Sequence, residues 1–321
     1  MFKSLRLRLS IIFISLAVMP LLLVVIFLTR HSVTYLEKQS VTILHETAAR
    51  VGNEIRAYIE DHKNRLFLIH KLHGFELLNP EKQRTMLNSL LFDQHIFQDI
   101  SLLNTEGQEL IRLSRSTVFL DKDLKNRANQ KEFLSPAAHK KPYFSAVYFD
   151  RKIQEPLITI SVPIFDLRSG KLAYVLVANL RFKKIWDLLA NVEIPGEGVV
   201  YVVNQAKQVV AHRNPSIVLR GATLNLPEVP GRAIGLSGAD VIISWDFLQF
   251  GAQKMTIIAE QPISQAYALI TDTFRIAIIF TSFVLVLAII LLCWQSVGSS
   301  DPSSSWQLPL APSARVIIPS T

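Results

Sequence analysis

Two uninterrupted apolar runs stand near the ends of this chain and frame everything between them. The first covers 9–28 and ends in IIFISLAVMPLLLVVIFL; the second covers 276–294 and reads IAIIFTSFVLVLAIILLCW. Neither contains a charged residue. A helix needs about 20 such residues to cross the hydrocarbon core of a bilayer, and a helix pairs all of its own backbone amides there. The runs are therefore predicted as two transmembrane helices, with 31–274 on one side of the membrane. From 33 to 73 the pattern becomes that of an amphipathic helix. Val33, Leu36, Leu44, Ala48, Val51, Ile55, Tyr58, Leu66, Ile69 and Leu72 form one stripe, and Glu37, Lys38, Glu46, Arg50, Glu54, Arg56, Glu60 and Lys63 fill the rest. Such a helix would reach about 60 Å.

A shorter helix is predicted over 81–92, and period-two signals follow it. Segments 100–103 and 109–113 flank the turn residues Asn104-Thr105-Glu106-Gly107. Segments 143–149, 157–163 and 171–180 also read as strands, joined through Asp150-Arg151-Lys152 and Leu167-Arg168-Ser169-Gly170. Residues 181–190 read as helix. The pattern then partly repeats: ISLLNTEGQELIRLS from Ile100 matches VYVVNQAKQVVAHRN from Val200, with Asn104 and Gln108 answered by Asn204 and Gln208. A repeated strand–turn–strand suggests two modules in series. Strands 241–247 and 253–260 complete the second, and from 264 the chain turns helical towards the second run. The predicted class is α+β: a long helix (31–75) carrying modules at 76–190 and 191–265. The tail, 295–321, is rich in Ser and Pro, carries only Asp301 and Arg315, and is expected to be disordered.

Charge and cysteine content narrow the partners. The net charge is +8, but the basic residues form only isolated pairs such as Lys140-Lys141 and Lys183-Lys184, so no nucleic-acid partner is expected. The single cysteine, Cys293, lies in the second run, which excludes an internal disulfide and a cysteine metal site. The first run is longer than a signal-peptide core of about 7–15 residues, and Thr29-Arg30-His31-Ser32 offers no small-x-small cleavage site. It reads as an uncleaved anchor. Lys3, Arg6 and Arg8 precede it, which keeps 1–8 in the cytoplasm, although Arg30 and Arg275 on the other side temper the bias. The expected location is the inner (plasma) membrane, multi-pass, with 31–274 extracytoplasmic.

Several local sequences occur together in a telling order: Tyr143-Phe144-Ser145, Gln154-Glu155-Pro156, Ser161-Val162-Pro163-Ile164-Phe165-Asp166, then GVVYVVN at 198–204, Val210-Ala211-His212, and IAEQPISQAY at 258–267. In that order and spacing, 31–274 resembles the double-Cache extracytoplasmic sensor domain of bacterial receptors. The resemblance implies two PAS-like modules on a long N-terminal helix, a small-molecule ligand in the membrane-distal module, a homodimer, and a histidine kinase, chemotaxis signalling helix or nucleotide cyclase as output. No such transmitter follows in this sequence. One subclass of the family binds amino acids through an Arg-x-Trp-Tyr run and a later Asp. Here the comparable stretch is Arg127-Ala128-Asn129-Gln130, without the aromatic pair, and Asp166 matches the later Asp only loosely.

Strand alternation places Thr159 and Ser161 opposite Ile158, Ile160 and Val162, and puts Tyr143, Ser145 and Val147 on one face. A polar strand face meets water or lines a polar pocket; in a PAS-like module the concave face commonly does the latter. Tyr143, Ser145, Thr159 and Ser161 are therefore the candidate lining. Arg127 and Asp166 can bind a ligand's carboxylate and amine by charge-assisted hydrogen bonds, but each is also an ordinary surface residue type. His45-Glu46 resembles a kinase phosphoacceptor box but lies on the outer helix. His70 and His73 share a helix face without a third metal ligand, and Gly231, Gly235 and Gly238 are not spaced as a phosphate loop. No catalytic constellation stands out, so neither a catalytic residue nor a metal or cofactor is expected. The expected function is a membrane-anchored small-molecule sensor. A non-signalling anchored binding protein and an extracytoplasmic enzyme are the alternatives.

Overall fold

The computed structural model describes residues 5–93 and 96–297. The chain separates into a compact unit of 33–268 and a second made of 1–32 with 269–321.

The larger unit begins within α1 (Leu5–His73). Leu44, Ala48, Val51, Ile55, Ile59, His62 and Leu66 are buried at steps of three and four, which is the stripe expected from the sequence with Ile59 and His62 added. Each Leu or Ile so buried contributes about 1.5–3 kcal/mol. After α2 (Pro80–Asp93) come β1 (Phe97–Leu103), β2 (Glu109–Ser114), α3 (Lys131–His139), β3 (Tyr143–Phe144), β4 (Tyr148–Asp150), β5 (Glu155–Phe165), β6 (Leu172–Arg181) and α4 (Lys183–Ala190). Then follow β7 (Val199–Asn204), β8 (Val209–His212), α5 (Pro215–Leu219), β9 (Gly231–Ile234), β10 (Asp240–Phe250), β11 (Gln253–Pro262) and α6 (Ile263–Ala266).

The strands form two antiparallel sheets, ordered β2-β1-β6-β5-β3 (with β4 also on β5) and β8-β7-β11-β10-β9. With β3 and β4 counted as one edge strand, these orders are the same once the second set is renumbered, so the internal repeat is structural. Its opening hairpins share one device. Asn104 Oδ1 accepts the Gln108 N–H at 2.9 Å, and Asn204 Oδ1 accepts the Gln208 N–H at 3.0 Å.

One face of each sheet packs on α1. Ile100, Leu102, Ile158, Ile160, Leu176 and Ala178 of the first sheet share a core with Val202, Ile242, Ile257 and Ala259 of the second and with the α1 stripe. The helix lies beside both in turn: His45 Nδ1 is 3.1 Å from Trp245 O, and the Tyr58 hydroxyl donates to Arg181 O at 3.4 Å. Gly52 lies against the second sheet, where an added Cβ would sit 3.4 Å from Ile257 Cδ1. Trp186 of α4 donates its indole N–H to Val210 O at 3.0 Å, tying the first module to the second. Near the start of the larger unit, Arg232 of β9 donates to Glu37 Oε2 at 3.1 Å and to the Tyr267 hydroxyl at 3.0 Å.

The expected strand 143–149 is two short strands. Ser145 interrupts it, because its Oγ accepts the Thr159 N–H at 2.8 Å and donates to Ala146 O at 2.7 Å, turning the chain away from the ladder. The helices α3 and α5 and the strand β9 were not legible from periodicity.

In the terminal unit the second apolar run lies in α7 (Ala268–Val297), and the first lies in α1. Leu16, Leu23, Phe27, Ile276, Phe280 and Phe283 are exposed. Among the described residues no helix is long and apolar enough to cross a membrane, so the two flanking spans rest on the sequence pattern alone. Residues 298–321, most of the tail expected to be disordered, lie outside the described residues.

Candidate functional site

Antiparallel pairing sets two polar rows across the face of the first sheet that turns away from α1. In one, Asp99 pairs with Asn179, and Asn179 with Thr159. In the other, Ser101, Val177, Ser161 and Tyr143 stand side by side on β1, β6, β5 and β3. At the usual strand spacing the second row spans about 14 Å.

The first row is hydrogen-bonded along its length. The Thr159 hydroxyl donates to Asn179 Oδ1 at 2.9 Å, and Asn179 Nδ2 donates to Asp99 Oδ2 at 3.2 Å. The Tyr148 hydroxyl lies 3.5 Å from Thr159 Oγ1. In the second row the Ser161 side chain is fully buried, at 0 % exposure, and its Oγ has no hydrogen-bond partner among the described residues. Beyond it Leu103, Val175 and Val177 pack on Phe133 of α3, which closes the apolar end of the face. Burial and the Glu132 carboxylate raise the Tyr143 phenol above its ordinary range. Tyr148 is raised too, first by burial and then by Asp99, Asp150 and Glu132. The open end of the face is thus hydroxyl-rich and acidic.

Arg127 is held by its neighbours. It pairs with the fully buried Glu109 of β2, reaches Glu132 Oε1 at 3.5 Å, and donates to Ser101 Oγ at 3.4 Å. Gly107 (φ +81°) positions it: its carbonyl accepts the Arg127 N–H at 2.7 Å, and a Cβ there would sit 2.5 Å from Ala128 Cα. Asp166 stands apart from the others. It is half-buried in the β5–β6 turn, where its Oδ1 accepts the N–H groups of Arg168 at 3.0 Å and Ser169 at 2.6 Å. Those bonds, Ser169 foremost, hold its carboxyl below the usual range. The sequence offered this acid as a candidate ligand contact; in the structure its hydrogen bonds go to its own hairpin turn.

The structure therefore brings Tyr143, Ser145, Thr159 and Ser161 to one face, with Arg127 at its margin, and separates Asp166 from them. Asp99, Ser101, Tyr148, Asn179 and Glu132 belong to the same face and were missed. Asn179 carried a signal as a polar residue within the apolar run of β6, and Asp99 and Ser101 carried one as polar residues at alternating positions of β1. The side chains of His70 and His73 lie outside those described. Among the described residues no group of three or more His, Cys, Asp or Glu side chains is placed to hold a metal ion.

Two antiparallel sheets of one topology strung along a long helix, the first with a partly enclosed polar face, are consistent with a Cache domain. The chain belongs to the Cache domain family, whose pattern it matches over residues 29–270. The fold is shared with solved ligand-binding domains of bacterial chemoreceptors of the double-Cache type. With that of Pseudomonas aeruginosa PctB in complex with L-Arg the TM-score is 0.54 at 18% identity, over 72% of this chain and 91% of the other. For Pseudomonas fluorescens CtaA in complex with L-leucine the TM-score is 0.56 at 13% identity, over 73% and 99%. For the Campylobacter jejuni chemoreceptor Tlp3 (CcmL) with isoleucine it is 0.55 at 14% identity, over 73% and 97%. No curated protein matches the chain.

Proposed function

We propose that this chain is a membrane-anchored sensor whose Cache domain binds a small zwitterion on the polar face of β1, β6 and β5. The observation that carries the reading is Ser161. A wholly buried hydroxyl without a partner is costly, and it stands beside a row whose own polar groups already satisfy one another. A ligand carboxylate accepting from Ser161 and Tyr143 would remove that cost, and the acidic pair Asp99 and Glu132 would receive an ammonium group. Amino acids bound to the chemoreceptor domains named above support this ligand class. Arg127 acts as a positioning residue, since Glu109 already neutralises it. In this reading the runs 9–28 and 276–294 span the membrane, the domain is extracytoplasmic and homodimeric, and output passes to a histidine kinase or another transmitter. Binding selects one of two arrangements by its difference in affinity for them, and the ligand is not turned over.

Isothermal calorimetry of the purified full chain in detergent, against the common amino acids, tests the site. Saturable binding by at least one of them is expected, weakened about tenfold or more in Ser161→Val and Thr159→Val. No binding across the panel, or binding unchanged in both variants, refutes it. Protease protection in sealed vesicles tests the orientation.

A further inference from the structure

The second module contains a cavity of about 620 Å³ on the sheet face turned away from α1. Its lining includes Val199, His212, Ile217, Leu236, Val241 and Glu260. Glu260 is the unusual member. It sits on β11 at 4 % exposure, and among the described residues no Lys or Arg forms an ion pair with it. A buried carboxylate without a counter-ion is strongly disfavoured, yet this one is built in. The Tyr201 hydroxyl donates to Oε2 at 2.7 Å, and the Leu236 N–H lies 3.3 Å from both oxygens. Gly235 permits that approach, because a Cβ there would meet Val241 Cγ1 at 2.7 Å and the carboxylate oxygens at 3.1 Å. These donors favour the ionised form, while burial pushes the Glu260 carboxyl above its ordinary range.

A second buried polar side chain faces the same space. His212 is 5 % exposed, and its Nδ1 accepts the Asn214 N–H at 2.8 Å, which leaves the neutral ring's proton on Nε2. No described residue bonds to Nε2. The walls between these two groups are aliphatic, from Val199, Ile217, Leu236 and Val241. Arg213, Arg220 and Glu197 also line the cavity; all three are exposed, so their fields are screened by solvent, unlike that of Glu260.

We infer that this cavity is a second ligand site, for a small amine whose ammonium group pairs with Glu260 and whose polar tail accepts from His212 Nε2. It lies in the module that the proposed zwitterion site does not use. A domain with both sites would read two chemical inputs.

The test is calorimetry of the full chain in detergent with ethanolamine and n-propylamine, and with propionate as the oppositely charged probe. Ethanolamine is expected to bind saturably, and to lose about tenfold or more in affinity in Glu260→Gln, the loss typical of a hydrogen bond to a charged group. Ile217→Trp, which fills the cavity from its wall and leaves Glu260 in place, is expected to abolish binding, and it decides the matter where Glu260→Gln fails to fold. Neither amine binding the wild type, binding that survives in Ile217→Trp, or propionate binding in place of the amines overturns the inference. Ser161→Val is expected to leave ethanolamine binding unchanged, so failure at one site is distinguishable from failure at the other.

Discussion

Removing one partner of the Glu109–Arg127 pair is the sharpest perturbation this fold offers. The Glu109 side chain is 0 % and that of Arg127 12 % exposed, so the pair is largely screened from water. Glu109 also accepts the Lys125 N–H at 2.9 Å and lies 3.8 Å from Arg112 Nη1. Breaking a buried pair from one side costs about 3–5 kcal/mol, because the other charge stays buried. For a unit of this size each kcal/mol lowers Tm by about 2–4 °C. Glu109→Leu is therefore expected to lower the melting temperature by about 6–20 °C. Exchanging both partners for apolar residues removes the stranded charge, so Glu109→Leu with Arg127→Met is expected to be more stable than Glu109→Leu alone. Thermal melts of the full chain followed by tryptophan fluorescence, together with urea titrations for the double-mutant cycle, measure the coupling. A double variant as unstable as the sum of the two single ones would show that the pair does not act as a buried unit, and the positioning role given to Arg127 would fall with it.

Three further outcomes follow from single positions. Gly52→Ala places a methyl 3.4 Å from Ile257 Cδ1, an ordinary contact, and gains about 1 kcal/mol of helix propensity, so Tm should rise; a fall would mean the helix–sheet crossing is tighter than described. Gly107→Ala should destabilise by about 2 kcal/mol or more, since it combines a left-handed φ with a Cβ that overlaps the Ala128 backbone; an unchanged urea midpoint would contradict this. His62 and His212 are both held below the ordinary imidazole value of 6.5, chiefly by burial. The unfolded chain therefore binds more protons as pH falls through that value, and stability should decline between about pH 7 and 5.5, with a shallower decline in His62→Gln. A flat profile would refute the assignment.

The long helix and the duplicated hairpins were legible because they rest on local signals: a three–four spacing over 33–73, and an Asx turn written twice, at Asn104 and Asn204. The polar face was half legible. Alternation named Thr159 and Ser161, but their cross-strand partners Asp99 and Asn179 depend on register, which is set by long-range pairing and by the bulges in β1. Asp166 was named for its charge, and a short acid beside a turn serves ligand and hairpin equally well; its hydrogen bonds go to its own turn. Arg127 was identified for its charge, while the neighbour that consumes that charge, Glu109, sits on another strand. Helix α5 is five residues long, too short to show a period.

The contact of Arg232 with Glu37 and Tyr267 joins the stretch of α1 where the domain begins to the segment where it ends. The Arg232 side chain is half exposed, and exposed ion pairs of this kind are worth about 0.2–1 kcal/mol. An apolar seam in the same place would have locked the two stretches together. This fastening yields to a free-energy difference of about 1–3 kcal/mol, the usual size of coupling between distant sites, and it re-forms as readily. So weak a fastening can open and close without loosening the packing on either side.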